Sequence, residues 1–225
     1  LVPLLQALGV QLDLVVLSHA DRDHTGGAAS VLQAHPRAQL MLSLEPGRNL
    51  DGLPASQPCL AGQHWRWDEV DFVVLHPDEP TLADARSSNP VSCVIRVQGK
   101  GGSALLTGDI EMDQERELLK RVGEQLASDV LQVPHHGSRT SSAPDFLDAV
   151  RPRFALAQSG YRNRFNHPAP VVVRRYRQRG LQLVSSPECG ALVWRCAVRE
   201  HLHCERQRAL RYWRHLPPGP LVGAD

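Results

Sequence analysis

Residues Leu14 to Gly27 read LVVLSHADRDHTGG, and this stretch decides the fold. The apolar run Leu14–Leu17 predicts a buried strand that ends at Ser18. Four side chains that can bind metal follow within six positions, and they are His19, Asp21, Asp23 and His24. Gly26 and Gly27 then allow a tight turn into a helical pattern, AASVLQAH. A loop that follows a buried strand can aim alternate side chains into one pocket, so the pattern favours a two-metal site.

The alternative is an ordinary polar turn between a strand and a helix, with Asp23 or Thr25 as the helix N-cap. Two His and two Asp in one such turn favour the metal site. Here the sequence resembles the metallo-β-lactamase superfamily, whose signature HxHxDH stands as HxDxDH, with Asp21 in place of the second His. An added carboxylate moves the metal preference from zinc alone toward manganese or magnesium, although zinc still accepts mixed nitrogen and oxygen ligands.

A second landmark is the segment VSCVIRVQG with SALLTGD, which predicts a hairpin around Gly99 to Gly102 and ends at Asp109. Gly108 removes side-chain bulk, so the backbone can bring the Asp109 carboxylate between two cations. A helix N-cap at Asp109, for the helix EMDQERELLKRV, is a compatible alternative. Asp109 resembles the bridging Asp of the superfamily.

The third landmark is DVLQVPHHGSRTSS, in which a strand over Val130–Val133 delivers His135 and His136 into a loop. We expect at least one of the two to bind metal, and the other to hydrogen-bond a phosphate or to donate a proton to a leaving group. Ser138 and Arg139 suit phosphate oxygens, with a solvated serine-rich loop as the alternative.

A fourth segment follows the predicted strand RFALAQSG and reads YRNRFNHPAP. Its Asn163, Arg164 and His167 suit a polyanion because guanidinium groups bind phosphate bidentately. Tyr161 or Phe165 can stack on a base. The loop therefore indicates a nucleic-acid substrate.

The other expected elements are a short helix over Leu1 to Val10, a strand AQLMLS, two strands in HWRWDEVDFVVLHP and a helix PDFLDAV. We predict a loop for residues 78–89, a helix for VVVRRYRQRG and a terminal hairpin for LQLVSSPECGALVWR. The five cysteines form no CxxC pair, and small buried residues account for most of them, so the redox compartment is undecided.

Taken together, SHADRDHTGG, LLTGDIE, VPHHGSRTSS and SGYRNRFNHP resemble the C-terminal metallo-β-lactamase-like domain of the ComEC family of bacterial DNA-uptake channels. The resemblance covers Leu1 to Trp194. It implies an α/β (α+β) fold, the four-layer αββα sandwich, here lacking its first strands. It also implies a metal-dependent nuclease that degrades the DNA strand that is not imported.

By motif position, one metal would be held by His19, Asp21 and a histidine of the pair, assigned as His135. Asp23 and His24 would hold the other, with Asp109 between them. The last ligand stays open among His135, His136 and His167. The superfamily's extra His before the bridging Asp has no clear counterpart, and Asn89 or His76 is the expected substitute.

The expected reaction is phosphodiester hydrolysis by a metal-bound hydroxide, with two divalent ions, Mn²⁺ favoured over Zn²⁺ or Mg²⁺. The predicted catalytic residues are Asp23, Asp109, His136 and His167. The predicted substrate-binding residues are Ser138, Arg139, Asn163 and Arg164.

The chain has 225 residues, 42% of them hydrophobic, and a formal charge of +1, which suits one globular domain and identifies no partner. We divide it into a domain over residues 1–199 and a basic tail over residues 200–225, which would add electrostatic affinity for DNA. It has no apolar run of about 18 residues and no signal peptide. The expected partners are DNA and the membrane channel portion of the same full-length protein, with the domain on the outer (periplasmic) face of the inner membrane.

Three other functions stay open. They are hydrolysis of a different ester or a lactam in the same fold, a non-catalytic relic that binds DNA or protein, and a cytoplasmic nuclease unrelated to DNA uptake.

Overall fold

A computed structural model describes residues 1–196 and 202–208. Strands β1 to β12 span Leu14–Leu17, Gln39–Leu42, Gln57–Pro58, His64–Trp67, Val70–His76, Val94–Gly99, Gly102–Leu106, Val130–Gln132, Phe154–Ala157, Gln182–Ser185, Leu192–Trp194 and Leu202–Cys204. Helices α1 to α9 span Val2–Ala7, Arg22–Thr25, Ala28–Ala34, Glu79–Asp84, Met112–Val122, Pro144–Val150, Pro170–Gln178, Ser186–Cys189 and Glu205–Arg208. Short 3-10 turns lie at Asn89–Val91, Gly123–Leu126 and Pro134–Gly137.

Side-chain alternation along the strands produces the layers. In β1, Leu14 and Val16 join the cluster that also contains Val74 and Ile95 of the larger sheet, whereas Val15 and Leu17 pack with the cluster of α3. The parallel sheet β1-β2-β3 therefore lies between α3 and the seven-stranded sheet, whose order is β10-β9-β8-β7-β6-β5-β4. This arrangement follows from the period-2 pattern of strands, in which successive side chains point to opposite faces.

Helices α5, α6 and α7 cover the opposite face of the seven-stranded sheet. Leu118, Phe146 and Val172 of these helices belong to one buried cluster with Leu105 and Leu131 of the strands. The layers run α3, small sheet, large sheet, then α5 to α7, which confirms the four-layer αββα architecture.

The parallel strands bring the predicted loops to one edge. Strands β7, β8 and β9 are parallel neighbours, and the loops with Asp109, His135 and residues 160–167 follow their respective carboxyl ends. The loop after β1 joins them, because the backbone N–H of Cys93 donates to the carbonyl of Ser18 across the two sheets at 2.8 Å.

Two predictions about secondary structure are wrong. Residues 78–89 contain helix α4, whose N-cap Asp78 accepts a hydrogen bond from the backbone N–H of Thr81. The predicted terminal hairpin does not form, because β10 pairs in parallel with β9 and β11 pairs with β12. The turn of helix α8 and Gly190, whose φ is +73°, redirect the chain between them.

Four cysteines are bonded in pairs rather than being isolated small core residues. Cys59, which follows β3, bonds to Cys93, which precedes β6, so this disulfide links the two sheets. Cys189 bonds to Cys204 and ties β12 to α8. Residues 202–208, the start of the predicted basic tail, thus pack on the domain. Residues 197–201 and 209–225 of the chain lie outside the described residues.

Within the described ranges 1–196 and 202–208, no helix combines the length and the apolar character needed to cross a membrane.

A buried carboxylate joins α5 to the loop that precedes α6. Glu115 is fully buried and accepts hydrogen bonds from the backbone N–H groups of Ser142 and Ala143, both at 2.6 Å. Arg175 on α7 donates to the carbonyl of Ser141 at 2.7 Å. Burial raises the pKa of Glu115 to about 7, against the opposing effect of these backbone bonds and of Arg175.

The raised pKa predicts that stability depends on pH. Between pH 4.5 and about 7 the unfolded chain has released the Glu115 proton and the folded protein has kept it, so the free energy of unfolding falls as pH rises. Relative to Glu115→Gln, the wild type should lose up to about 3 kcal/mol across this window in urea unfolding. Glu117→Gln, an exposed position on the same helix, is the matched control. A constant difference between wild type and Glu115→Gln at every pH would contradict the prediction.

Candidate metal centre

The loop after β1 supplies two pairs of candidate ligands. His19 is fully buried, and its Nε2 lies 3.7 Å from Oδ2 of Asp21 and 3.8 Å from Oδ2 of Asp109. Helix α2 begins directly after Asp21 and turns Asp23 and His24 to the same side. The Asp23 side chain stays 65% exposed, so it stands on the open side of the centre.

Asp109 occupies the middle of the centre because Gly108 lets the backbone pass between two strand ends. Gly108 has φ +53°, and a Cβ at this position would lie 2.9 Å from Cβ of Ser18 and 3.0 Å from Cβ of Ser92. The backbone N–H of Asp109 donates to Oγ of Ser92 at 3.0 Å. The N-cap of α5 is Glu111, not Asp109, so the buried Asp109 carboxylate is left for the centre.

His135 and His136 both adopt positive φ, +47° and +55°, and are followed by Gly137 at +83°. This uncommon backbone turns both rings toward Asp109. Nε2 of His136 lies 3.3 Å from Oδ2 of Asp109 and 3.2 Å from Oδ2 of Asp23, while its Nδ1 donates to the carbonyl of Gln158 at 2.7 Å.

The candidate ligands form two groups around Asp109. Ligand atoms of Asp23, His24, Asp109 and His136 all lie within 4.8 Å of one another. In the second group, Nε2 of His19 and of His135 lie 3.8 and 3.9 Å from Oδ2 of Asp109, the oxygen that His136 also approaches. The sequence assigned His135 to the metals and His136 to catalysis; the structure brings His136 closer to the cluster and His135 to its margin.

The donor set fits divalent cations. Among the described residues, the buried Nε2 of His19 has no hydrogen-bond partner. Buried polar atoms without partners are costly and call for an explanation such as an ion. Imidazole nitrogens mixed with carboxylate oxygens suit zinc, manganese or iron.

Electrostatics within the cluster follow from burial and from opposed charges. Burial alone would raise the pKa of Asp109, but hydrogen bonds from His136 and His24 hold it well below its ordinary value. The hydrogen bond with Asp109 raises the pKa of His136 to about 9. Burial lowers the pKa of His19.

Two residues that contact the candidate ligands, Ser88 and Glu111, were not predicted from the sequence. The hydroxyl of Ser88 donates to Oδ1 of Asp21, and Oε1 of Glu111 lies 3.1 Å from Nδ1 of His135. Carboxylates and carbonyls in such positions fix the orientation of metal-binding imidazoles. Glu111 is the residue after LLTGDI, so its place two positions beyond Asp109 was a usable signal; Ser88 depends on a contact between residues 67 positions apart.

The two expected substitutes for the missing histidine differ in whether their polar atoms are already engaged. Nε2 of the buried His76 donates to the carbonyl of Pro90 at 2.8 Å, and burial lowers the pKa of His76 to about 4. Oδ1 of Asn89 is buried without a hydrogen-bond partner among the described residues.

The predicted substrate-binding residues divide by exposure. Ser138 is buried and its hydroxyl pairs with Thr140, so the structure shows it supporting the loop. Asn163 is also engaged in its own loop, donating to the carbonyl of His167 and accepting from its N–H. Arg139 and Arg164 are exposed.

His167 lies at the edge of the cluster, with its ring 6.0 Å from that of His135. Burial lowers the pKa of His167, and the nearby charges of His135, His136 and Arg139 act in the same direction. His167 therefore borders both the metal cluster and the exposed Arg139.

Comparison with known proteins agrees with this geometry. Residues 3–160 match the family described as the metallo-beta-lactamase superfamily. The chain belongs to this superfamily. A crystal structure of CmlA, a diiron beta-hydroxylase from Streptomyces venezuelae, superposes with a TM-score of 0.51 at 12% identity, covering 77% of this chain and 43% of that one, which shows the shared fold alone.

The curated relatives are longer proteins. Competence protein ComA of Neisseria gonorrhoeae is 39% identical over 96% of this chain and 30% of its own length. Recombination protein 2 of Haemophilus influenzae is 38% identical over 78% of the chain and 21% of its length, and ComE operon protein 3 of Bacillus subtilis is 31% identical over 87% and 26%. The chain thus spans between about a fifth and a third of these relatives, and the resemblance to the ComEC family is confirmed.

The shared carboxylate predicts how metal binding responds to substitution. Asp109→Asn should weaken binding of both ions by about 100-fold or more, because this residue contacts both groups, whereas His136→Ala should weaken chiefly the group with Asp23 and His24. Titration calorimetry with Mn²⁺ and Zn²⁺ measures both effects. Asp113→Asn, whose side chain is 80% exposed, is the control. Two unchanged binding events in Asp109→Asn would contradict the shared role.

Proposed function

We propose that this domain is a two-metal phosphodiesterase that cleaves DNA during its uptake. The observation that carries the proposal is the convergence of four histidines and three aspartates on one edge of the fold, beside an exposed arginine-bearing loop. They are His19, His24, His135, His136, Asp21, Asp23 and Asp109. Mixed carboxylate and imidazole ligands around a shared Asp suit two cations, which are Mn²⁺ by preference and Zn²⁺ or Mg²⁺ otherwise.

The cluster around Asp109 would hold two cations, which when bound would acidify a water molecule and stabilise charge on the attacking and leaving oxygens. The protein supplies the rest. Asp23 stands on the open side of the cluster, where its carboxylate can orient the attacking water. His167 borders the cluster from the loop side and is placed to hydrogen-bond an oxygen of the substrate phosphate.

Substrate positioning falls to the exposed cations. Arg139 and Arg164 flank the cluster on the loops that follow β8 and β9, and guanidinium groups bind phosphate oxygens bidentately. Because Ser138 and Asn163 are engaged within their loops, we assign them to loop support rather than to direct phosphate contact. The competence-related names of the relatives support DNA as the substrate.

A second candidate is hydrolysis of another ester or a lactam. An apolar pocket of about 340 Å³ lies between the two sheets and reaches His24. Trp65, Trp67 and Phe72 line it and form an aromatic cluster. A substrate with an apolar acyl group would suit this pocket, which the DNA proposal leaves unused.

Cleavage assays test the proposal. With Mn²⁺, Mg²⁺ or Zn²⁺ added, the protein should cleave labelled single-stranded or duplex DNA, and Asp23→Asn and Asp109→Asn should each lose about 100-fold or more of the rate. Asp113→Asn should retain it. Cleavage that survives in both site variants would contradict the proposal. Two bound ions with no DNA cleavage, together with turnover of p-nitrophenyl acetate, would favour the second candidate.

We further propose that the domain belongs to a membrane channel protein and lies on its outer, periplasmic face. Two disulfides support the oxidising side, since disulfides persist in such compartments and are rare in the cytosol.

The disulfide between the sheets predicts a measurable stabilisation. Cys59 and Cys93 enclose a loop of 34 positions, so Cys59→Ser with Cys93→Ser should lower the free energy of unfolding by about 2–4 kcal/mol in urea titrations. A reductant should destabilise the wild type by at least as much. In denatured extracts of cells that carry the full-length protein, these cysteines should resist maleimide until a reductant is added; ready labelling without reductant would contradict the proposed location.

A further inference from the structure

A second pocket adjoins the metal centre and extends beyond the residues used in the chemistry described above. It is open, has a volume of about 510 Å³, and is lined by Asp23 and His136 of the metal cluster and by Phe165 and His167 of the loop after β9. Gln158 and Ser159 contribute polar groups to its lining. The volume lies in the range that proteins use for ligands the size of a nucleoside. Because Asp23 and His136 also belong to the metal cluster, an occupant would sit directly beside the reacting phosphate.

The aromatic wall of this pocket is preformed. The rings of Phe165 and His167 are stacked, with centroids 5.6 Å apart and an angle of 19° between planes. The Phe165 side chain is nevertheless 61% exposed. Asn163 fixes the loop, since its side-chain amide both donates to and accepts from the backbone of His167. A flat, rigid and exposed aromatic surface costs little to order when a planar ligand binds.

The distance between the wall and the metal cluster is also set by packing. A Cβ on Gly137 would lie 2.5 Å from Cβ of Pro168, so the loop with His136 and the loop with His167 touch where only glycine fits. The backbone N–H of Ala169 donates to the carbonyl of Gly137 at 2.8 Å and holds the same contact. These contacts fix the two loops against each other.

The charges around the wall favour a nucleotide over an apolar group. The guanidinium of Arg164 lies 4.6 Å from the centre of the Phe165 ring, and the charge of Arg139 acts on His167. Aromatic rings beside arginines are the usual surface for single-stranded nucleic acid, with the bases stacked and the phosphates neutralised.

We propose that this pocket receives an unpaired nucleobase next to the scissile phosphate, stacked on Phe165, so that the domain acts on single strands and frayed ends in preference to continuous duplex. The inference rests on the proposed phosphodiesterase function and names its substrate class. A base inside a duplex is stacked and paired, and it would have to leave the helix to reach a pocket walled by the loops after β8 and β9. Stacking is tolerant of sequence, so little base preference is expected.

Two synthetic esters isolate the contribution of the base. Thymidine 5′-(p-nitrophenyl phosphate) and methyl p-nitrophenyl phosphate share a leaving group and differ in the presence of a nucleoside. Phe165→Ala should lower kcat/KM for the thymidine ester by about tenfold to a hundredfold, mainly through KM, and leave the methyl ester unchanged. Phe165→Trp should restore the preference. Leu4→Ala, an apolar residue 57% exposed on α1, is the control and should change neither ester.

A binding measurement separates the pocket from the reaction. In EDTA, fluorescence anisotropy should show Phe165→Ala binding a labelled single-stranded oligonucleotide at least tenfold more weakly than Leu4→Ala does, with no such difference on an oligonucleotide of abasic residues. Equal effects of the two variants, or equal binding of intact and abasic strands, would overturn the inference. Cleavage at the same rate in Phe165→Ala and wild type would support the phosphodiesterase function and contradict the base pocket. If binding depends on Phe165 but the protein hydrolyses neither ester nor DNA, the base pocket is supported and the phosphodiesterase function is contradicted.

Discussion

The placement of one buried carboxylate governs the rest of this structure. Asp109 lies where the end of β7 meets the end of β1. It reaches this place only because residue 108 is glycine, since a Cβ added there would lie 2.9 Å from Cβ of Ser18. Taking a carboxylate out of water is costly unless charged partners surround it. The histidines at the ends of β1 and β8 supply those partners. The two sheets must therefore pack at this edge with little freedom, and the disulfide between Cys59 and Cys93 joins the same two layers.

The loop of His135 and His136 is held from two directions. Gly137 packs against Pro168 of the loop after β9. Further along the same loop, Glu115 accepts hydrogen bonds from the backbone N–H groups of Ser142 and Ala143. Three consecutive residues at positive φ persist only where the surroundings over-determine them. The buried Glu115 is part of that constraint, so a residue remote from the ligands helps to set their geometry.

The sequence predicts well whatever depends on neighbours along the chain. The strand Leu14–Leu17, the hairpin of β6 and β7 and the close approach at Gly108 follow from local pattern, and the structure confirms them. Helix α4 was missed although Asp78 followed by Glu79 and Pro80 is an N-cap signal. Which of His135 and His136 lies closer to the metal cluster could not be predicted in this way, because it depends on positive φ values that the residue types do not indicate. The bond from Ser88 to Asp21 and the two disulfides likewise require contacts between distant segments.

The departure from HxHxDH makes the two halves of the centre chemically unequal. One oxygen of Asp21 accepts from Ser88, which leaves the other near His19, and no third imidazole replaces the missing histidine among the contacts described. The half with Asp23, His24 and His136 is compact, whereas His19 and His135 stand further from Asp109. An ion in the looser half would meet its two imidazoles at a greater distance from Asp109 and would have more need of oxygen from water or from substrate. A phosphate that enters from the side of Arg139 and the stacked pair of Phe165 and His167 could supply that oxygen, which would couple substrate binding to completion of the metal centre.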